Sequence, residues 1–334
     1  MTKMRVLLLT EREIEPLLSM SEVMEAVETA FREKGMGHAQ MPSKTYLVYS
    51  KHNGDLRAMP SYLERLGISA VKVVNSHPDN PAKFGLPTVM ATIVLVDPRN
   101  GAPLAMMGGT WITAMRTGAA GGIAAKYLAR KDSKVVGFVG AGTQARTQLA
   151  ALLALYGELG EVRVWSRTSS TREKYVSEME AVYGEQARIV SVENARDSVE
   201  GADILVTSTP SREPLVSDKW VSSGMHINCI GADAPGKEEL DPNILRHAKI
   251  VVDDWEQASH SGEINVPLAE GTITKEDVWG DICEIAAGLK PGRTSSNEIT
   301  VFTSTGMAVQ DAVTARLAYD KATSRGLGHS IELI

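Results

Sequence analysis

The stretch 135–145, VVGFVGAGTQA, constrains this chain more than any other. Val135, Val136, Phe138 and Val139 run into Gly140-Ala141-Gly142, and Thr143 then opens a segment of good helix formers with no glycine or proline through Tyr156. A strand, a tight glycine turn and a helix are expected in that order, with Thr143 as the N-cap. Gly140 permits the turn, Gly142 lets the backbone approach a pyrophosphate, and Ala145 keeps the helix close to the sheet. A bound diphosphate would meet the free N–H groups and positive dipole end of that helix. Two glycines in a turn are common. Flanked by strand and helix, and followed by more such units, they point to a dinucleotide site.

Downstream the pattern alternates. Strand-like 161–167 precedes a helix around 172–183, 188–192 precedes a short helix near 195–201, and strand-like 204–208, 226–230 and 250–253 follow. Such alternation predicts an α/β domain of Rossmann type, a doubly wound parallel sheet with right-handed crossovers. Upstream the pattern is different. Residues 1–10, MTKMRVLLLT, lack a small-residue cleavage site and read as a first strand, not a signal peptide. Ser21-Glu22 and the spacing of Val23, Ala26, Val27, Ala30 and Phe31 predict an amphipathic helix closing near Gly35 and Gly37. Runs 44–49, 56–62, 68–74, 87–96 and 103–107 are separated by the turn signals HNGD, HPDNP and DPRNG, and predict an antiparallel sheet whose last two strands form a hairpin. A Gly/Ala-rich helix over 113–130 leads into the nucleotide domain. A long helix over 305–324 returns the chain to the first. The expected division is a smaller α+β substrate and dimerisation domain, 1–115 completed by 310–334, and a dinucleotide-binding domain, 116–309.

Composition narrows the classes of function. The chain has 334 residues, room for two cored domains, and 41 acidic against 35 basic side chains give a net charge of −6. That balance argues against nucleic acid or an anionic membrane as partner. No apolar run approaches the roughly 18 to 20 residues needed to span a bilayer. Two cysteines are too few for a disulfide framework and suit a cytoplasmic protein with buried thiols. His77, His226, His247 and His260 have no metal-ligand spacing, so no metal is expected.

Candidate chemistry lies in a few polar residues. Lys44, Arg57, Lys72 and Arg116 are the cations of interest in the first domain and at its exit. Lys72 interrupts an otherwise apolar or small run, 68–74, where an unpaired ammonium is costly to bury. It is either an edge-strand lysine facing water or an acid/base group of lowered pKa. Arg57 and Lys44 suit a substrate carboxylate. A turn at Asn53-Gly54 would pair Ser50 with Arg57, however, and leave Lys44 roughly 20 Å along the strand. Either the ribbon bends or one of the two is a surface charge. Asp233 follows the strand at 226–230, beyond the carboxyl end where ligands of open α/β sheets bind, and is a candidate general base or a turn cap. At the end of the second nucleotide-domain strand stand Ser166, Arg167 and Thr168, with no carboxylate for a ribose 2′-hydroxyl. Hydroxyls and a guanidinium suit a 2′-phosphate better, so NADP(H) is favoured over NAD(H), either one serving as the NAD(P)(H) cofactor.

At these residues the chain resembles the ornithine cyclodeaminase/μ-crystallin family, and within it the archaeal-type alanine dehydrogenase branch. The resemblance rests on MPSKTYL (41–47), GDLRAMP (54–60), VNSHPDNP with GLPTVMA (74–91), MRTGAAGGIAAKYLAR (115–130), GAGTQA (140–145), VTSTPSREP (206–214), INCIGADAPGKEEL (227–240), VVDDWEQASHSGEINV (251–266) and STGMAVQD (304–311). It implies Lys72 as catalytic lysine, Asp233 as catalytic aspartate, Arg116 near nicotinamide and substrate, and Lys44 with Arg57 on the substrate carboxylate. The cyclodeaminases carry Glu where Arg57 stands, which disfavours ornithine here. Thr143, Gln144, Lys237 and Ser304 match cofactor contacts. Thr88, Gly140, Gly142, Ser166, Arg167, Thr168, Thr207, Gly231 and Ala232 complete the expected set. NAD-using relatives tend to have Asp where Ser166 stands. The resemblance implies a homodimer whose substrate domains join their sheets, and a reversible conversion of L-alanine to pyruvate and ammonia. The alternatives are a ketimine or cyclic imine (pyrroline-2-carboxylate) reductase, then an ornithine cyclodeaminase, then a non-catalytic NADPH-binding protein.

Overall fold

The computed structural model describes residues 4–333. They fall into two units, one running to Arg116 and resuming at Met307, the other Thr117–Gly306.

The first unit is built on one sheet. Its strands are β1 (Arg5–Leu9), β2 (Ala39–Gln40), β3 (Thr45–Tyr49), β4 (Gly54–Leu63), β5 (Ile68–Ser76), β6 (Val89–Val96) and β7 (Pro103–Gly108), with a C-terminal strand His329–Glu332 at one edge. The order is C-terminal strand, β1, β7, β6, β5, β4, β2, and β3 also pairs with β4. The predicted β6–β7 hairpin is present. The expectation of a wholly antiparallel sheet needs correcting at β1, which runs parallel to β7. Those two strands are distant in sequence, and parallel neighbours need such a long crossover. The amphipathic helix begins at Met20, not Ser21, because the capping box is Ser19 with Glu22.

The β3–β4 connection also differs from expectation. Tyr49 pairs with Gly54, a short 3-10 turn spans Ser50–His52, and Asn53 closes it at φ 46°. Asn tolerates this left-handed conformation, so the loop takes four residues rather than two. Tyr46 therefore stands opposite Arg57, and Lys44 lies only two residues further along.

Side chains alternate between the faces of this sheet. One face carries the row Met59, Lys72, Ile93, Met107 and Leu9 across five strands. All five are buried, and Lys72 is the one polar member. The C-terminal helix Ala308–Ser324 packs against β4, β5 and β6, with Ala308 in a buried cluster with Met59, Val74 and Ala91, and against the Met20–Gly35 helix. The opposite face shows the row Pro60, Val71, Val94, Met106 and Leu8, half-buried or exposed.

The second unit holds β8 (Val135–Val139), β9 (Glu161–Trp165), β10 (Arg188–Ser191), β11 (Ile204–Thr207), β12 (Arg212–Val216), β13 (His226–Cys229), β14 (Glu238–Leu240), β15 (Lys249–Val252), β16 (Val278–Asp281) and β17 (Thr300–Thr303). Eight form a parallel sheet in the order β10-β9-β8-β11-β13-β17-β15-β16, and β12 pairs with β14 apart from it. The order reverses between β8 and β11, the switch point where doubly wound sheets bind ligands. β17, a buried TVFT run, enters the sheet between β13 and β15 although the alternating pattern gave no sign of it. The helix Thr110–Leu128 carries Gly118 and Gly121 where a Cβ would run into the Thr147 carbonyl and the Gln148 amide, so these glycines set its approach to the helix Thr143–Tyr156. No helix among the described residues is long and apolar enough to cross a membrane.

Candidate active site

The sheet of the first unit gathers the predicted cations on one face. β5 lies between β4 and β6, so Lys72 is interior, and the reading of it as an edge lysine facing water is overturned. It is 1% exposed. Its Nζ lies 2.7 Å from Oδ2 of Asp311, in the first turn of the C-terminal helix. Oδ1 of the same carboxylate accepts from Nε of Arg116 at 2.9 Å, and Nη1 of Arg116 donates to Gln310 at 3.0 Å. One buried carboxylate thus bridges two buried cations. Burial and the Arg116 charge, opposed by Asp311, with a smaller push from Lys44, bring the lysine down to about 7. At that value the amine holds or releases a proton near neutrality.

Arg57 sits one row away, nearly buried. Asp55 accepts from its Nε at 3.1 Å and from its Nη2 at 2.9 Å, and the Tyr46 ring lies 5.5 Å from the guanidinium carbon. The fork and the ring hold its plane fixed, as planar carboxylate recognition requires. By the strand alternation Lys44, Tyr46, Arg57, Met59 and Lys72 share this face. Thr88, just before β6, accepts from the His77 N–H through its carbonyl at 2.8 Å.

In the second unit the glycine turn follows β8. Gly140 has φ 114°, and a Cβ there would meet the Ser208 carbonyl and hydroxyl at 2.8 Å, so it is glycine by need of the fold. Gly142 differs. It has φ −84°, and a Cβ there would meet nothing within 4 Å. Gly142 is itself the N-cap, which corrects the expectation for Thr143, the first helical residue. Nη1 of Arg146 donates to the carbonyls of Ala141 and Gly142 at 2.8 and 3.0 Å, so these carbonyls face the arginine rather than the helix end. A cavity of about 610 Å³ opens beside the turn, lined by Gly142, Thr143, Ser170 and Lys174 among others. Ser166 and Thr168 follow β9, where the Ser166 hydroxyl donates to the Thr168 carbonyl at 2.9 Å and Arg167 is exposed.

Other predicted residues stand at the carboxyl ends of neighbouring strands. Thr207 ends β11, Gly231, Ala232 and Asp233 follow β13, and Ser304 follows β17, its N–H donating to the Cys229 carbonyl at 3.0 Å. Lys237 donates to Asp233 at 2.6 Å. Buried oxygens of Gln144, Ser208 and Ser304 have no hydrogen-bond partner among the described residues, and buried polar atoms are normally paired. Unspent polar atoms at the strand ends, an open helix N-terminus and a glycine with room before it fit a dinucleotide.

Residues 4–326 match the ornithine cyclodeaminase/mu-crystallin family. The chain belongs to this family. It is 52% identical to the alanine dehydrogenase of Archaeoglobus fulgidus over 98% of this chain and 99% of that protein. Among solved structures, an archaeal alanine dehydrogenase dimer with bound NAD matches with TM-score 0.94 and 51% identity, covering 99% of this chain and 100% of the other. The Δ1-pyrroline-2-carboxylate reductase of Thermococcus litoralis, in complex with NADH and L-proline, matches with TM-score 0.94 and 46% identity, covering 98% and 100%.

Within this member of the ornithine cyclodeaminase/mu-crystallin family, sequence reasoning missed Asp311 and Gln310 as partners of the cations. The signal was there. Asp311 interrupts an apolar helix start as Lys72 interrupts an apolar strand, and two such misfits of opposite charge are natural partners. Asp55 was missed as the clamp on Arg57. Glu239 and Glu263, both buried, were missed as a linked pair.

Proposed function

We propose that the chain is an amino-acid dehydrogenase that converts L-alanine, NAD(P)+ and water reversibly to pyruvate, ammonia and NAD(P)H. The observation that carries this reading is the bridged pair of buried cations, Lys72 and Arg116 on Asp311, on the same sheet face as Arg57. A bound nicotinamide supplies or accepts the hydride. Arg57, held by Asp55 and Tyr46, orients the substrate carboxylate with Lys44 and Arg116. Lys72 as ammonium donates a proton to the oxygen of the carbonyl or carbinolamine, and as neutral amine takes it back in the reverse direction. Asp233, paired with Lys237, assists the proton transfers of water and amine.

In this reading the first unit is the substrate and dimerisation domain and the second holds the dinucleotide. Gly140, Gly142, Thr143 and Gln144 take the diphosphate, while Thr88, Thr207, Gly231, Ala232, Lys237 and Ser304 contribute further cofactor contacts. NADP(H) is the preferred form: Ser166, Arg167 and Thr168 present hydroxyls and an exposed guanidinium where NAD-specific sites place a carboxylate. A second copy of the chain covers the apolar outer row Pro60, Val71, Val94, Met106 and Leu8, making a homodimer. The two buried cysteines suit the cytoplasm.

Product analysis tests the reaction. Pyruvate, ammonium and reduced cofactor should yield L-alanine. The likeness to the T. litoralis enzyme favours one rival reading, reduction of a preformed cyclic imine. L-proline from 1-pyrroline-2-carboxylate, with no alanine from pyruvate, would replace the first reading with the second.

A further inference from the structure

The segment 261–267, SGEINVP, has no part in the chemistry above, yet it carries Glu263, a carboxylic acid 1% exposed. Its Oε1 accepts the backbone N–H groups of Glu239 and Leu240 at 2.8 and 2.7 Å, and its own N–H donates to Thr303 at 2.9 Å. Two residues on, Asn265 accepts the Gly236 N–H at 2.8 Å and donates to the Lys237 carbonyl at 2.8 Å. Glu239, fully buried, reaches the other way. Its Oε1 accepts from the N–H and hydroxyl of Thr209 at 2.6 and 2.7 Å, and its Oε2 accepts the Gly231 N–H at 3.0 Å. The turns that follow β11 and β13 are thereby tied to one carboxyl group. The fit is close: a Cβ on Gly231 would lie 2.5 Å from that Oε2.

We propose that Glu239 is a positioning residue, clamping the 207–209 and 231–237 turns together, with Glu263 and Asn265 fixing the clamp from behind. The proposal rests on the dinucleotide reading, since those turns carry Thr207, Gly231, Ala232, Asp233 and Lys237. Backbone turns alone would leave Asp233 free to shift, and a displacement of about 1 Å at such a group costs a large factor in rate. Burial raises both acids above the usual carboxylate range, and for Glu263 the neighbouring Glu239 adds to the rise. The titratable groups facing the pair are Glu238 and Cys229, with Asp233 and Lys237 on the clamped turn itself. The donors to Glu239 prefer its anion, so protonation loosens the clamp. Dinucleotide affinity therefore falls as pH drops through the titration of the pair.

The experiment is NAD(P)H binding by fluorescence across the neutral pH range, with kcat and thermal midpoint, on wild type, Glu239→Gln and Thr209→Ala. In Glu239→Gln the dissociation constant rises by about ten-fold and the pH-dependent fall disappears. Thr209→Ala removes the hydroxyl bond to Glu239, and the acceptor of the Ser211 N–H at 3.2 Å, without disturbing a buried charge, so it raises the constant several-fold while kcat falls. It decides the matter if Glu239→Gln does not fold. Wild-type affinity, kcat and pH profile in a folded Glu239→Gln, or in Thr209→Ala, overturn the proposal. A wild-type protein that binds neither NADH nor NADPH overturns instead the dinucleotide reading beneath it.

Discussion

Replacing Asp311 with Asn keeps the size of the side chain and removes the one charge between Lys72 and Arg116. The carboxylate sits 2.7 Å from the lysine and 2.9 Å from the arginine, with all three groups buried. Asp311 supplies the two influences that raise the lysine toward its charged form, while burial, Arg116 and Lys44 oppose it. With the carboxylate gone, the lysine falls from about 7 by a further one to two units. At 1.4 kcal/mol per unit this is roughly 1.5 to 3 kcal/mol against the protonated amine. The lysine can escape by losing its proton, but Arg116 cannot, and a buried charge stripped of its partner costs about 3 to 5 kcal/mol. The thermal midpoint should therefore drop by roughly 5 to 10 °C. The decisive assay is the pH profile of kcat/KM. In the reductive direction the proposed role makes Lys72 the proton donor, so wild-type activity should decline as pH rises through about 7. In the oxidative direction the neutral amine is needed, and activity rises through the same value. In Asp311→Asn both inflections move to lower pH, and reductive activity above neutrality falls by about ten- to a hundred-fold. A folded variant whose inflections stay where the wild type has them would refute the reasoning.

Other perturbations separate fold from site. Gly142→Val should leave the thermal midpoint within a few degrees, because a Cβ there meets nothing within 4 Å, yet abolish dinucleotide binding; Gly140→Val, at φ 114° against Ser208, should unfold the protein instead. Ser166→Asp should shift the ratio of NADPH to NADH kcat/KM toward NADH by about ten-fold or more, read at saturating substrate. Val94→Asp places a charge in the apolar outer row and should give monomers by light scattering without loss of helical signal. His226 is fully buried, bonded to Thr300 and Asn228, and burial with the Arg293 charge holds it down to about 3, so the folded chain refuses a proton that the unfolded chain accepts near 6.5. Its contribution is whole above about 6.5 and is lost as pH falls toward 3, on the order of 5 kcal/mol at most. Denaturant titrations should show a shallower acid slope in His226→Gln.

Much of this was legible in the sequence, for physical reasons that differ by region. The β8 turn and the strands around it read clearly because buried parallel strands are continuous apolar runs between glycine and helix signals. β17 escaped because four buried residues carry no period to count. The Lys72 misfit was visible in its strand, but its burial was not, since whether a strand lies at an edge is a property of the sheet. The distance between Lys44 and Arg57 was misjudged because Asn53 accepted a left-handed conformation and lengthened the loop. Asp311 lay in plain sight within STGMAVQD, yet pairing it with a lysine 239 residues earlier requires the helix Ala308–Ser324 to lie on the sheet. Glu239 and Glu263 share that difficulty, for most of their hydrogen bonds go to backbone groups that no side-chain pattern reports.

The central claim meets its most direct test in absorbance at 340 nm with pyruvate, using NADH and NADPH, each with and without ammonium. The account predicts oxidation only when ammonium is present, and faster with NADPH. No oxidation with either cofactor, or oxidation that ignores ammonium, would contradict it.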